Sequence, residues 1–411
     1  MPAPIVPSSR LAQVRYEIRG ALARRAREIE ASGHEVVKLN IGNPGRFGFR
    51  APARLAEAFA AHLAQSDGYC HEQGLESARE AIAAQQLARG AQGVDIERVF
   101  VGNGVSELID LSLRALLEPG DEVLLPAPDY PLWSAATLLN AGVPRYYDCP
   151  AARAHMPDPD GIEALCGPRT RALVLINPDN PTGAVYPRGL LARIVEVAAR
   201  RNLLLLCDEI YDGILYDDAV FTPVASLTGE LPCLSFAGLS KVHRACGWRA
   251  GWMSLSGSAA NTTALQHALQ LLAALRLCAN VPAQWAIAPA LRHDDSIRAL
   301  TAPGGRLHAS RQAALDGVAR SEFLELVAPR GALYAFPAVR DGALPAFDDE
   351  AFALRLLEDE HALVVPGSSF NLEDSRHFRL TLLPEAPLIA DVFARIERTL
   401  ARMSQPARHV A

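Results

Sequence analysis

The sequence predicts an α/β protein whose larger domain holds a mainly parallel, seven-stranded sheet between helices, beside a smaller α+β domain. Between about residues 98 and 256, short continuous apolar runs alternate with intervals of helical pattern. This alternation is typical of parallel strands that are buried on both faces. The predicted strands are 99–102, 122–126, 144–149, 172–177, 203–208, 233–237 and 250–255, and 106–117 and 189–200 are predicted helices among the intervals.

The remaining elements divide the chain into three parts. A Pro-Gly-Gly turn signal at 303–305 ends the alternating region, and a mixture of strands and helices follows it. We expect 1–45 to be an arm and helix that pack with the small domain, 46–300 to be the large domain, and 301–411 to be the small domain. The further predicted helices are 10–31, 52–64, 75–86, 306–321 and 388–403, and the further predicted strands are 36–41, 332–336, 363–366 and 378–383.

Composition restricts the class of protein. The chain has 411 residues, of which 50% are hydrophobic, and a formal net charge of -6, which argues against nucleic-acid binding. Its 7 cysteines include no Cys-x-x-Cys pair, which favours reduced thiols over a disulfide framework or a metal site. The start does not resemble a signal peptide, and no apolar run approaches the roughly 20 residues of a membrane span. We therefore expect a soluble, cytoplasmic protein without nucleic-acid, membrane or metal partners.

Several predicted strands end in residues that could bind a ligand, and in parallel α/β sheets ligands bind outside the carboxyl ends of the strands. The segment Gly102-Asn-Gly-Val-Ser106 follows one strand and opens a helix. Its free N–H groups would suit a phosphate, although such a turn can also be a plain tight connection. The loop Asn177-Pro-Asp-Asn-Pro-Thr-Gly183 follows another strand and would present Asn180 rigidly, or simply form an Asx turn.

Two further strand ends carry ionisable groups. Asp208 closes the strand at 203–208 and Tyr211 follows; a buried carboxylate there requires a cation or a donor, unless it caps the next segment. Lys241 follows the strand at 233–237. A lone lysine is usually a solvated charge, but one with a lowered pKa is a nucleophile toward carbonyl groups. Together these residues place an anion site, an amide, a carboxylate, a phenol and a lysine along one edge of the sheet.

This set of motifs resembles the fold type I aminotransferases of class I and II, which use pyridoxal 5'-phosphate (PLP). The resemblance covers nearly the whole chain. It rests on Asn-Pro-x-Asn-Pro-Thr-Gly at 177–183, Asp-x-x-Tyr at 208–211, Ser-Lys at 240–241 and Gly-x-Arg-x-Gly at 247–251. It implies that Lys241 would bind PLP covalently and, once freed by an amino-acid substrate, would move a proton between the substrate Cα and the cofactor.

The resemblance also implies roles for the residues around the cofactor ring. Asp208 would pair with the pyridine nitrogen and keep it protonated, so that the ring withdraws electrons. Tyr211 and Asn180 would hydrogen-bond the 3-oxygen of the ring. Tyr130, within Ala127-Pro-Asp-Tyr-Pro-Leu-Trp133, would stack on the ring face.

The cofactor phosphate would lie at the predicted helix start. The resemblance implies that it is bound by the backbone of Gly104, Val105 and Ser106, together with the Ser106 hydroxyl. Arg249 would add a planar, charged donor.

Two positions modify this phosphate site. Tyr69 matches a tyrosine that reaches the phosphate from the neighbouring subunit, which implies a homodimer with shared active sites. Gly238 stands where many relatives carry a serine three residues before the lysine, and we expect Ser240 to take over that contact.

The resemblance implies substrate contacts as well. Arg379 would bind the α-carboxylate with a bidentate fork, and Gly42 and Asn180 match further substrate contacts. Arg19 and Arg276 are candidates for the distal carboxylate of glutamate, unless each is a surface charge or an ion-pair partner. The segments that resemble alanine (glutamate–pyruvate) aminotransferases, and so imply exchange between L-alanine and 2-oxoglutarate, are 16–20, 39–44, 101–107, 127–133 and 276–284.

Other functions share the same cofactor residues. A broad or aromatic aminotransferase, or a PLP-dependent C–S lyase, would have the same ring and phosphate contacts. The fold also occurs as the effector domain of transcription regulators that carry an N-terminal DNA-binding domain. Here the predicted fold begins within about the first 30 residues and the chain is acidic, so we expect an enzyme.

Overall fold

A computed structural model describes residues 4–15, 20–344, 346–373 and 375–405. Its strands are β1 (Val37–Lys38), β2 (Val99–Gly102), β3 (Glu122–Ala127), β4 (Val143–Asp148), β5 (Thr170–Ile176), β6 (Leu204–Asp208), β7 (Cys233–Gly238), β8 (Gly251–Ser256), β9 (Leu324–Glu325), β10 (Tyr334–Ala335), β11 (Ala338–Val339), β12 (Ala362–Leu363), β13 (Val365–Pro366) and β14 (Phe378–Thr381). Its helices are α1 (Ala21–Ala31), α2 (Ala53–Ala61), α3 (Glu76–Ala88), α4 (Val105–Leu116), α5 (Pro131–Leu139), α6 (Pro159–Leu165), α7 (Arg188–Arg200), α8 (Ala259–Leu275), α9 (Ile287–His293), α10 (Ile297–Thr301), α11 (Arg306–Arg320), α12 (Asp349–Glu360) and α13 (Ala386–Ser404). None of the helices in these described residues is both long and apolar enough to cross a membrane.

The central element is a seven-stranded sheet in the order β2-β8-β7-β6-β5-β3-β4. The strands from β7 to β4 in this order pair in parallel. The exception is β8, which pairs antiparallel with both β2 and β7. The prediction of a mainly parallel seven-stranded sheet is confirmed, and each predicted strand ends within two residues of the observed one.

Both faces of this sheet are buried. Side chains alternate along each strand, so Leu175 and Cys207 face one apolar core while Val174 and Leu206 face another. The first core is covered by α3 and α7, and the second by α4, α5 and α8. This double burial explains why the strands read as continuous apolar runs rather than as an alternating pattern.

A further apolar core lies in the C-terminal part of the chain. Its fully buried members include Phe352 of α12, Phe378 of β14 and Ile396 of α13, together with Leu39 from the N-terminal segment. In addition, β1 pairs in parallel with β12, which joins the N-terminal segment to this part. The separate core supports the predicted large and small domains, whose boundaries stay a prediction.

The N-terminal segment differs from the prediction. The pattern predicts one helix over 10–31, but the structure has a 3₁₀ turn at Ser9–Gln13 and extended backbone at Val14. Helix α1 begins only at Ala21, after Gly20 with non-helical backbone angles. Glycine in a helix interior costs about 1 kcal/mol relative to alanine, which accounts for the late start.

Candidate active site

A cavity of about 470 Å³ lies at the carboxyl ends of β5 and β6, where Ile176 and Asp208 line it. This is the edge of the sheet at which a ligand was expected. Eleven of the predicted site residues line this cavity, namely Gly42, Val105, Ser106, Tyr130, Asn180, Asp208, Tyr211, Ser240, Lys241, Arg249 and Arg379. Residues that are up to 337 positions apart along the chain therefore meet at one site.

Lys241 is half-buried and lines this cavity. It follows β7, and its Nζ donates a hydrogen bond to the Gly42 carbonyl oxygen at 2.7 Å. The same Nζ lies 5.9 Å from the ring centre of Tyr211. A Cβ at position 42 would overlap the phenol of Tyr334, so glycine allows the backbone to approach this closely.

Asp208 is a buried carboxylate at the end of β6, with 3% of its surface exposed. Its Oδ2 accepts a hydrogen bond from Trp133 Nε1 at 3.2 Å. Burial raises the pKa of Asp208 to about 6, although Trp133, the Ile210 N–H and the charge of Lys241 all lower it. A carboxylate held in this way favours a nearby cationic ligand, because the ligand's charge would offset the cost of burial.

Arg379 enters the site from β14, in the smaller part of the molecule, and only 2% of it is exposed. Its guanidinium donates to Asn180 Oδ1 at 2.8 Å and to the Asn40 carbonyl at 2.6 Å. The guanidinium carbon also lies 4.2 Å from the ring centre of Tyr334 and 4.9 Å from that of Phe370. Its Nε is buried without a hydrogen-bond partner in the described part of the chain, so one donor of the planar fork is unsatisfied.

The start of α4 forms a site for an anion. Gly104 precedes it with a φ of +86°, which favours glycine, and no side chain caps the helix at this residue. A Cβ at position 104 would overlap the guanidinium of Arg249. That guanidinium donates to the carbonyl oxygens of Cys246 and Asn103, each at 3.0 Å. The positive end of the helix and the arginine charge therefore act on the same space.

Gly238 does not line the cavity, whereas Ser240 does. A Cβ at position 238 would lie 2.9 Å from the Ala250 carbonyl oxygen and 3.0 Å from the Gly251 Cα. Glycine is therefore needed for the close approach of β7 and β8. Ser240 is the hydroxyl available on this side of the cavity, and its predicted phosphate contact stays a prediction.

Three other sequence candidates lie elsewhere. Tyr69 is 81% exposed and does not line the cavity of its own chain, so its predicted role across a subunit interface stays a prediction. Arg19 lies outside the described residues. Arg276 forms an ion pair with Glu107 at 2.9 Å and also donates to the Val101 carbonyl at 2.7 Å. The ion-pair alternative for Arg276 is thus the arrangement observed.

Tyr334 and Cys246 are among the cavity residues that the sequence analysis did not predict. Tyr334 lies on β10, and its hydroxyl accepts a hydrogen bond from the Tyr211 hydroxyl at 3.1 Å. Cys246 donates from its Sγ to Asn43 Oδ1 at 3.3 Å. Neither belongs to a motif with a fixed spacing, so no signal in the sequence pointed to them. Trp133, the partner of Asp208, could have been found, because it ends a segment already singled out.

The fold and the site together define a class of enzyme. A lysine, a buried carboxylate and an anion site lie at the carboxyl edge of one sheet, and an arginine faces them from the other core. This is the arrangement of a fold type I, PLP-dependent enzyme. The sequence matches the family described as aminotransferase class I and II over residues 34–389, and the chain belongs to that family.

Individual relatives agree with this membership. The chain is 44% identical over 403 residues to the glutamate-pyruvate aminotransferase AlaA of Escherichia coli, covering 98% of this chain and 100% of the relative. It is 45% identical over 392 residues to the alanine aminotransferase of Mycobacterium tuberculosis, covering 95% and 91% of the two chains. A crystal structure of an aminotransferase from Escherichia coli superposes with a TM-score of 0.96 at 44% identity, covering 98% of this chain and 100% of that one.

Aminotransferases of this family depend on PLP, and the residues of this chain fit that cofactor. The raised pKa of the buried Asp208, about 6, fits a partner that carries positive charge, such as a protonated ring nitrogen. The uncapped start of α4 beside Arg249 fits a phosphate group. The Lys241 amine fits the aldehyde of the cofactor, which amines attack. The chain is therefore a PLP-dependent aminotransferase.

Proposed function

We propose that this enzyme transfers the amino group of L-alanine to 2-oxoglutarate, giving pyruvate and L-glutamate in two successive half-reactions. The names of its relatives at 44% and 45% identity support this choice of substrates. The observation that carries the proposal is the meeting of Lys241, Asp208 and Arg379 in one cavity. Each side chain supplies a different requirement of amino transfer.

Arg379 would bind the α-carboxylate that alanine, glutamate and both 2-oxo acids share. Its planar fork is held by Asn180 and by a backbone carbonyl, which leaves its orientation fixed before a substrate arrives. Because all four substrates carry this group next to the reacting carbon, one arginine serves both half-reactions.

Lys241 would act as the base at the substrate Cα. When bound, PLP supplies a ring that stabilises negative charge developing at that carbon. The Nζ of Lys241 removes the Cα proton, and its bond to the Gly42 carbonyl holds the amine on that side of the cavity. Asp208 would keep the ring nitrogen protonated from its buried position.

Further residues would hold the cofactor in place. Tyr211 and Asn180 would donate to the 3-oxygen, and Tyr130 would stack on the ring. The phosphate would be bound by the backbone N–H groups of Gly104, Val105 and Ser106. The hydroxyls of Ser106 and Ser240 and the charge of Arg249 would complete its site. Gly42 would contact the substrate through its backbone.

We also propose that the enzyme is a cytoplasmic homodimer in which Tyr69 reaches the phosphate site of the partner subunit. The 81% exposure of Tyr69 on the single chain supports this role. The division into an N-terminal segment at 1–45, a large domain at 46–300 and a small domain at 301–411 belongs to the same proposal. The separate apolar core that Leu39 shares with α12 and α13 supports it.

The test is a panel of half-reactions on the purified, PLP-loaded enzyme. Each amino acid is mixed with the enzyme without an oxo acid, and conversion of the cofactor to pyridoxamine phosphate is followed by absorption. Alanine and glutamate should both convert it, and the Lys241→Ala variant should lose the absorption band of the lysine-bound cofactor. Inert alanine and glutamate would refute the proposed substrates. Release of ammonia and pyruvate without conversion would indicate a lyase, and preferred conversion by aromatic amino acids would indicate an aromatic aminotransferase.

A further inference from the structure

Tyr334 occupies the space between the proposed carboxylate site and the proposed cofactor site. Only 3% of it is exposed, and it lines the cavity. On one side its ring centre lies 4.2 Å from the guanidinium carbon of Arg379. On the other side its hydroxyl accepts a hydrogen bond from the Tyr211 hydroxyl at 3.1 Å. One side chain therefore contacts a residue of each site.

The ring of Tyr334 packs closer to the guanidinium carbon of Arg379 than the ring of Phe370 does, at 4.2 Å against 4.9 Å. Asn180 and the Asn40 carbonyl hold the fork at two nitrogens, but these bonds act at the edge of the guanidinium plane. An aromatic ring at this distance adds an attractive contact with the arginine cation. Without it, the guanidinium could leave the orientation in which it meets a carboxylate.

The hydroxyl of Tyr334 is arranged as an acceptor. Burial raises its pKa, but the charges of Lys241 and Arg379 and the bond from Tyr211 lower it more, so the net pKa lies below that of an ordinary tyrosine. Burial raises the pKa of Tyr211 well above its usual value, so Tyr211 keeps its proton and donates. The direction of the hydrogen bond is therefore set by the two cations beside Tyr334.

We propose that Tyr334 is a positioning residue that joins the two sites. Its ring holds Arg379 in place for the α-carboxylate, and its hydroxyl competes with the cofactor oxygen for the Tyr211 proton. This inference rests on the proposed function, because it assumes that Arg379 binds the carboxylate. The glycine at position 42 belongs to the same arrangement, since a Cβ there would overlap the Tyr334 phenol.

The test separates the ring from the hydroxyl. Tyr334→Leu and Tyr334→Phe are compared in the PLP-loaded enzyme, with propionate as a probe that carries a carboxylate but no amino group. Tyr334→Leu should weaken propionate binding and raise both substrate KM values by about 5- to 30-fold, while PLP affinity and kcat change little. Tyr334→Phe should keep the affinity for propionate. It should also move the pH midpoint of the cofactor absorption band downward by about 0.5 units or more, because Tyr211 then donates to the cofactor alone.

Tyr216→Leu is the matched control. Tyr216 is another buried tyrosine whose ring lies 5.2 Å from an arginine, Arg311, but it does not line the cavity. This variant should lower thermal stability without changing the affinity for propionate. Unchanged propionate affinity in Tyr334→Leu would refute the role of the ring, and an unshifted absorption midpoint in Tyr334→Phe would refute the role of the hydroxyl.

A double variant adds an independent check. Gly42→Ala should displace the Tyr334 phenol and weaken propionate binding, and Gly42→Ala combined with Tyr334→Leu should be no weaker than the worse single variant. Additive losses would refute the contact. Failure of the proposed substrates is distinguishable from failure of this inference: alanine would then be inert in the wild-type enzyme, while propionate would still respond to Tyr334→Leu.

Discussion

Asp179 provides a test of the electrostatics beneath the cavity. It lies in the loop after β5, and only 2% of it is exposed. Its Oδ2 accepts hydrogen bonds from the Thr182 N–H at 3.1 Å and from the Thr182 hydroxyl at 2.5 Å. Its Oδ1 is buried without a partner among the residues that the structure describes. The substitution Asp179→Asn keeps the shape of the protonated acid and removes its ability to ionise.

The size of the effect follows from the pKa of this carboxyl. Burial raises the pKa of Asp179 to about 7, against the hydrogen bonds from Thr182 that lower it, and the charges of Asp129 and Asp208 raise it further. An unfolded aspartate has a pKa of about 3.9. The folded state therefore binds this proton more tightly than the unfolded state does. Its contribution to the free energy of unfolding is fully present below about pH 4 and is lost as the pH rises through about 7. Between pH 5 and pH 8 the loss is about 2.5 kcal/mol.

The assay is denaturant unfolding of the cofactor-free protein at several pH values from 5 to 8, at one protein concentration. As the pH rises over this range, the free energy of unfolding of the wild-type protein should fall by about 2.5 kcal/mol more than that of Asp179→Asn. Both should still lose stability, because burial also raises the pKa of Asp208 to about 6 and that of Glu209 to about 8. The exposed Asp295, changed to asparagine, is the control and should follow the wild type. Parallel curves for wild type and Asp179→Asn would refute the argument.

Three further substitutions test the site. Gly104→Ala should weaken PLP binding by about 10-fold or more, because the new Cβ displaces the Arg249 guanidinium; Gly304→Ala, at a similar φ of +83° but with nothing within 4 Å, should leave PLP affinity unchanged. Arg379→Lys should lower kcat/KM for alanine by about 10- to 100-fold without changing PLP affinity, because the fork to the carboxylate is lost. Arg276→Met should weaken PLP binding, because it removes the ion pair with Glu107 at the start of α4. A selective rise in the KM for 2-oxoglutarate would instead indicate that Arg276 binds the distal carboxylate.

The sheet could be predicted from the sequence because its signal is local. Each strand is a continuous apolar run buried on both faces, and polar residues such as Asp208 mark where a strand ends. The strand ends then located the cavity, since parallel strands present their carboxyl ends at one edge. The prediction of one helix over 10–31 was wrong because it followed the helical periodicity before Gly20. Glycine is unfavourable inside a helix, and α1 begins only after this residue.

The surroundings of each site residue could not be predicted, because they depend on pairs that are distant along the chain. Arg379 contacts Asn40, which is 339 residues away, and Asn180, which is 199 residues away. Tyr334 reaches Tyr211 across 123 residues. Motif spacing describes one segment at a time. The contacts of Arg379 and Tyr334 depend instead on how the C-terminal part of the chain, with β10 and β14, packs against the edge of the sheet.

Gly238 lies outside the cavity but affects the packing behind it. Its position lacks the serine that the family resemblance implied, yet a Cβ there would press on β8 at Ala250 and Gly251. Gly251 in turn admits no Cβ, because one would lie 2.5 Å from the Val105 nitrogen at the start of α4. Two glycines on adjacent strands therefore bring the backbone of the sheet against the helix start that Gly104 opens. In this chain the position of the anion site depends on close backbone packing, so the substitution Gly238→Ser should move β8 and the helix start together.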